Sequence, residues 1–392
     1  MALPLSHVTV VALEQAIAAP LATRHLADLG ARVIKVERPG GGDFARHYDT
    51  AARGLCSHFA WANRSKESIT LDLKTAAGKE VLTRLLEGAD VFVQNLAPGA
   101  VERLGFDDER LRRDYPDLIV CHVSGYGADG PYRDKKAYDL LIQAETGVVS
   151  VTGSEEAAAK AGIPVADIAG GMYAYSSILA ALLQREREGG GSVLHVSLFD
   201  GLCEWMGFPA YFSLGSDPLP RTGASHAAIA PYGPFATGDG RTILLSIQSQ
   251  REWEQFCAVV LERTGFVSDA RFADNSRRVQ NREALQEEIE SVFAGMTAEQ
   301  VAERMEQGQI AYAELRDLEA FWEHPQLAAR GRVAEVRSPV GPLPALLPAT
   351  VNETWPPRFG AIPATGEHTR ALLDELGYGV EVIEEMERDG VV

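Results

Sequence analysis

One aspartate stands apart from the rest of the chain's acidic residues. Asp167 is the only carboxylate between Glu156 and Glu186, within the apolar stretch Gly162 to Gln184, GIPVADIAGGMYAYSSILAALLQ. Such a residue is either a helix cap, accepting from the amides of a first helical turn, or a working nucleophile or base. The stretch alone leaves both open. Gly170 and Gly171 follow it. Each costs a helix about 1 kcal/mol against alanine, a cost accepted where a ligand or another backbone must come close.

A second set of residues carries charge rather than reactivity. Arg38, Lys74, Arg103 and Lys136 each follow a predicted strand. Strand ends converge on one edge of a parallel sheet, where open α/β sheets bind ligands, so four cations there suit a polyphosphate. The chain has no GxxxxGK[ST], which argues against ATP or GTP. The first βα turn holds Ala16-Ile17-Ala18-Ala19-Pro20 in place of GxGxxG, so a dinucleotide site is not expected. A phosphate-bearing carrier such as coenzyme A fits what remains.

The elements that must position these groups read as α/β. Val8 to Leu13 and Arg32 to Glu37 are apolar, β-branched strands flanking a helix from Ala18 to Gly30, a βαβ opening. Further strands are expected within Asn63 to Lys74, over Asp90 to Asn95, Leu118 to Val123 and Val193 to Leu198. A helix is expected from Thr75 to Gly88, and another opens at Lys136-Ala137-Tyr138-Asp139. The run Ile168 to Leu183 reads as a buried helix too short to span a bilayer. Ser216 to Pro234 has linker composition, followed by a strand over Thr242 to Ile247 and helices over Glu252 to Arg263, Arg282 to Phe293 and Ala298 to Gln307. The expected organisation is a Rossmann-like parallel sheet in a large domain (1–215), a smaller α+β domain (216–330) and a return segment (331–392).

Composition narrows the partners. A chain of 392 residues with 46% hydrophobic content buries a large core. A net charge of −18 argues against nucleic acid and anionic membranes. Cys56, Cys121, Cys203 and Cys257 are scattered, with no CxxC, and read as reduced thiols rather than a metal site. MALPLSHVTV lacks a basic n-region and a long apolar core. A cytoplasmic location without a signal peptide is the expectation.

Several segments, in this order, carry a specific likeness: Ala31 to Pro39 (ARVIKVERP), Asn63 to Lys74, Val93 to Ala100 (VQNLAPGA), Ser124 to Pro131, Tyr138-Asp139 and Gly366 to Thr369. Over nearly its whole length the chain resembles the class III CoA-transferases, with α-methylacyl-CoA racemase as a relative. The resemblance implies that Asp167 is the nucleophile. It implies CoA contacts at Arg38, Leu71, Lys74, Asn95, Leu96, Arg103, Lys136 and Tyr138, with Ala16, Ile17 and Ala18 beside the thioester. It also implies an interlocked homodimer, no permanently bound cofactor, no metal, and acyl-CoA with a carboxylic acid as substrates. Amides near Gly170 and Gly171 are expected to stabilise oxyanions, and the helix dipole to keep Asp167 ionised.

The acceptor acid is read from a departure. Oxalate-using members carry four consecutive glycines after residue 220; here the segment is His226 to Gly233, HAAIAPYG. This resembles users of succinate, mesaconate, itaconate, citramalate or malate. Arg46, His47, Arg221 and His226 are the expected partners of an acceptor carboxylate. The alternatives are a 2-methylacyl-CoA racemase and a non-catalytic acyl-CoA-binding protein. The racemase needs a His where this chain has Tyr138, and a tyrosine near pKa 10 is a poor base at neutral pH.

Overall fold

The computed structural model describes residues 2–215 and 219–392. Ser216 to Pro218, where the linker was expected to begin, lie outside the described residues. Six strands make one all-parallel sheet: β1 (Thr9–Leu13), β2 (Arg32–Glu37), β3 (Lys66–Thr70), β4 (Val91–Gln94), β5 (Ile119–Ser124) and β6 (Ser192–Ser197). Their order is β3-β2-β1-β4-β5-β6. The order reverses between β1 and β4, and the carboxyl ends of those two strands are where a doubly wound sheet opens its ligand crevice.

The sheet forms because its strands are apolar on both faces. On one face Val11, Leu13, Ile34, Val36, Ile69, Phe92 and Val120 pack with helical residues Val81, Leu82, Leu85, Leu86, Leu372, Leu373 and Ile383. Residues one step along each strand, such as Val10, Ala12, Val33, Val91 and Val93, point the other way and are equally buried. The helices Ala18–Asp28 and Val165–Glu188 pack on one another and on the sheet, the first against β2 and β4, the second against β5 and β6.

The Val165–Glu188 helix is longer than the expected run and takes Asp167 inside it. Its most apolar 18-residue window has a mean hydropathy of 1.3, so by length and composition the helix could cross a membrane. Its inner face, Ala166, Ala169, Gly170, Gly171, Ala174, Ile178, Ala181 and Leu182, is instead buried within the protein.

The chain divides into two compact units, 1–146 with 161–207 and 326–392, and 147–160 with 208–325. The expected ranges had kept 147–160 with the large domain. That segment joins the second unit because Arg221 donates to the carbonyls of Ser150, Ser154 and Glu155, and Gly223 N–H to that of Gly153. The second unit holds an antiparallel sheet of β7 (Tyr232–Ala236), β8 (Thr242–Ser246) and β9 (Ala311–Glu314). Its core gathers Phe235, Ile243, Leu245, Trp253, Phe256, Phe272, Leu285, Ile289 and Phe293. The helix expected over Glu252 to Arg263 is α-helical only for Gln250–Gln255 and widens to a π-turn over Phe256–Val260. Within the return segment, β10 (Val333–Val336) pairs antiparallel with β11 (Leu343–Leu346).

Candidate active site

Asp167 does not cap its helix. Pro164 is the N-cap, and Asp167 sits in the first turn, two residues past Val165. The cap is supplied from outside. Asp139, which opens the helix Asp139–Glu145, accepts from Ala166 N–H at 2.8 Å and from Asp167 N–H at 3.3 Å. No donor among the described residues reaches the Asp167 carboxylate. Its surface is partly accessible, yet it lies deep under surrounding atoms. Lost hydration, with the neighbouring Asp139 charge second, pushes its carboxyl up to about 7. The helix dipole was expected to keep it ionised; lost hydration and the like charge of Asp139 act against that.

The two glycines have a different task from the one expected. Both lie inside the helix, where their N–H groups are spent on the preceding turn, so they cannot serve an oxyanion. They are contact points. A Cβ on Gly171 would stand 2.7 Å from the Ala18 carbonyl oxygen, and one on Gly170 would stand 3.3 Å from the Leu198 side chain.

That contact seats the turn Gln15-Ala16-Ile17 beside the Asp167 helix. Ala16 has φ of 60°, a left-handed conformation that costs a non-glycine residue about 1 kcal/mol or more. Two side chains hold it there. Asn95, just past β4, accepts from Gln15 N–H and donates to Gln15 C=O, both at 2.8 Å, bridging the carboxyl ends of β1 and β4. Asp43 accepts from Ala16 N–H at 3.1 Å and from Ala45 N–H at 2.9 Å. Its other oxygen accepts from Lys35 at 2.8 Å.

Lys35 belongs to a wholly buried charge network. It also donates to the Glu14 carbonyl, while Lys66 donates to the Glu14 carboxylate at 2.6 Å, to Pro20 C=O and to Asn63. Burial works against the Glu14 charge, but Lys66 and Lys35 hold its carboxyl below the ordinary value. Asn95 was expected as a CoA contact; in the structure it fastens the turn. Sequence reasoning singled out none of Glu14, Asp43 and Lys66 as a site residue, although Lys66 lies in the Asn63 to Lys74 segment. Charged residues inside strand-edge segments were the available signal.

The four cations leave the carboxyl ends of successive parallel strands: Arg38 after β2, Lys74 after β3, Arg103 after β4, Lys136 after β5. All four are exposed. Arg38 donates to Gly42 C=O and Arg103 to Pro98 C=O, but among the described residues none of the four meets a carboxylate. In a chain of net charge −18 they are cations left open to an anionic ligand at one edge of the sheet.

The model for CoA-transferase family III matches residues 5–369. The chain belongs to that family. It is 32% identical to the succinyl-CoA:glutarate CoA-transferase of Mus musculus, over 99% of this chain and 90% of that one. It is also 32% identical to the succinyl-CoA:mesaconate CoA-transferase of Haloarcula hispanica, over 96% and 97%. Among solved structures, a CAIB/BAIF family protein from Brucella suis superposes with a TM-score of 0.84 at 30% identity, covering 96% of this chain and all of that one.

The remaining positions of this family III CoA-transferase divide sharply. Tyr138 is 62% exposed at the head of the capping helix. Tyr48 was missed. Burial, then the charges of Asp43 and Asp167, push its phenol up to about 12, which puts it in the electrostatic neighbourhood of the Asp167 carboxylate. No spacing in the sequence marks it. Ile17 and Ala18 are buried, their backbone opening the Ala18–Asp28 helix. Leu71 is a core residue with its N–H spent on Glu37 C=O, and Leu96, partly buried against the same core, has its N–H spent on Gln94 Oε1.

The expected acceptor contacts fare worse. Arg46 is locked in a two-pronged pair with buried Glu37, at 2.8 and 2.7 Å, and stacks on Phe59, so it is not free for a substrate. Against the cost of burial, Arg46 and Lys35 hold Glu37 down to about 2. Arg221 is spent on three carbonyls. His47 bonds Gly41 C=O and remains exposed. His226, in the second unit, stacks on Tyr232 at 5.2 Å and accepts from Ala228 N–H, which makes it an organiser of its own loop. One ligand-type group, Asp49, Cys56 and His58, has its donor atoms within 4.8 Å of one another. The Asp49 carboxylate there already accepts from Ala51 N–H, from the amide and hydroxyl of Ser57 and from the Cys56 thiol, and so closes its own loop.

Proposed function

We propose that this enzyme moves CoA from a donor acyl-CoA, such as succinyl-CoA, to a small dicarboxylic acid through an aspartyl-CoA thioester on Asp167. The observation that carries this is the unpartnered Asp167 carboxylate at the head of a buried helix, next to a turn fastened at the sheet's ligand crevice. Named relatives act on succinyl-CoA with glutarate, mesaconate or citramalate, which supports a five-carbon dicarboxylate as acceptor.

Asp167 attacks the donor's thioester carbonyl, giving a mixed anhydride and CoA thiolate. The thiolate attacks the Asp167 carbonyl, releasing the donor acid and forming the aspartyl-CoA thioester. The acceptor carboxylate attacks that thioester, making a second anhydride and freeing the thiolate again. The thiolate then takes the acceptor acyl group and restores the Asp167 carboxylate. One thioester replaces another, so covalent catalysis suffices without ATP. Arg38, Lys74, Arg103 and Lys136 hold the CoA phosphates so that the thiolate stays close between steps. A homodimer and a cytoplasmic location belong to the same proposal.

The test is a screen of succinyl-CoA and acetyl-CoA against C2 to C6 acids with wild type and Asp167→Ala. Transfer to a dicarboxylate by wild type, lost in the variant with CoA affinity kept, is expected. Transfer by Asp167→Ala, or deuterium uptake from solvent at the α-carbon without transfer, would overturn the reading.

A further inference from the structure

The head of the Asp167 helix is built to leave that residue without donors. In an ordinary first turn, a carboxylate in this position reaches back to the N-cap amide, as in a capping box. Here the N-cap is Pro164, which has no N–H. The next free amides, those of Ala166 and Asp167, both donate to the same oxygen of Asp139. The other Asp139 oxygen accepts from Gln143 Nε2 at 2.7 Å, and Gln143 Oε1 accepts from Ala161 N–H at 2.9 Å. Gln143 is fully buried. Two side chains one helical turn apart thus fasten both ends of the segment 161–167.

We propose that Asp139 is the positioning residue for the nucleophile: with Pro164 it denies Asp167 every local donor and holds its carboxylate out, unpaired, for the thioester. This rests on Asp167 being the nucleophile. Asp139 itself touches no reacting atom. A carboxylate stripped of hydrogen bonds is a stronger nucleophile than one bonded to two or three amides, and its charged form is correspondingly costlier. Few other titratable groups face it. Tyr48 approaches from the loop after β2, and Tyr138 and Asp139 lie on the capping helix. On the packed neighbours, His25 stacks on Tyr175, Asp28 acts on that same Tyr175, and Asp200 is tied to Ser197.

Three variants separate the parts. Asp139→Ala frees the two amides for Asp167. Asp139→Asn keeps an acceptor on them but removes the charge. Pro164→Ala restores an N-cap N–H without touching Asp139. For Asp139→Ala and Pro164→Ala, kcat should fall about tenfold or more while the donor KM changes less than about threefold, the mark of a group acting in the reaction step. In both, the acidic limb of the pH–rate profile should move to lower pH. Asp139→Asn should move the limb in the same direction with the smallest loss of kcat. Thermal melts show that each variant is folded, and Pro164→Ala carries the test if Asp139→Ala does not fold. Wild-type kcat and an unmoved limb in both Pro164→Ala and Asp139→Asn would overturn the proposal. Hydroxylamine trapping read by mass spectrometry keeps the underlying reading separate. A mark on Asp167 in wild type upholds the nucleophile whatever the variants do, and its absence sinks the assignment and this proposal with it.

Discussion

Gly171 meets Ala18 where the two inner helices cross, and the missing side chain sets their distance: an added Cβ would lie 2.7 Å from the Ala18 carbonyl oxygen. Ala18 also begins the helix that follows the Gln15-Ala16-Ile17 turn. The close approach therefore fixes the turn against the helix that carries Asp167. Gly171→Ala forces backbone rather than a flexible side chain to move, and should cost about 1–3 kcal/mol by denaturant unfolding. Gly170→Ala meets the Leu198 side chain, at 3.3 Å, a looser contact, and should cost less.

Asn95 spans the crevice. Replacing it with Ala removes both bonds to Gln15 and leaves left-handed Ala16 held by Asp43 alone. Asn95→Ala should raise the donor KM roughly tenfold with the fold intact, as expected when a positioning group is loosened. Steady-state kinetics beside a thermal melt reads both.

Glu14 is the shared anion of two buried lysines, Lys35 and Lys66. Glu14→Ala strands the Lys66 ammonium, while Lys35 keeps Asp43, and should destabilise by about 3–5 kcal/mol in chemical denaturation, the cost of breaking a buried pair from one side. Glu14→Gln keeps an acceptor for Lys66 and should lose less.

The pH behaviour of Asp167 has a definite sign. Its carboxyl titrates near 7 in the folded protein against 3.8 for the ordinary group. Between those values the folded chain holds a proton that the unfolded chain has released, so stability falls as pH rises through this window. Asp167→Asn removes the effect. It should melt a few degrees above wild type at pH 8, with the gap closing toward pH 4. A constant gap across that range would show that the carboxyl is not raised.

The four strand-end cations are exposed, so their contribution is screened by salt. Lys74→Glu and Lys136→Glu should each raise the donor KM severalfold at low ionic strength, and the penalty should shrink at 0.5 M salt. Neither should change the melting temperature much, because neither residue has an ion-pair partner among the described residues to lose.

Much of this was legible in the chain itself. The βαβ opening, five further strands and the polar helices Arg282–Phe293 and Ala298–Gln307 follow from apolar runs and periodicity, which are local properties. Asp167 stood out because a carboxylate in an apolar stretch needs a reason. The cations could be placed because strand ends share one edge. Tertiary structure decided what depends on partners distant in sequence. Asp139 caps a helix that begins 26 residues later, Arg46 is consumed by Glu37, and Gly171 is spent on Ala18 rather than on substrate. Spacing reports which groups lie on one edge or face. It does not report which hydrogen bonds are already taken, and that is what separates free Asp167 from satisfied Arg46.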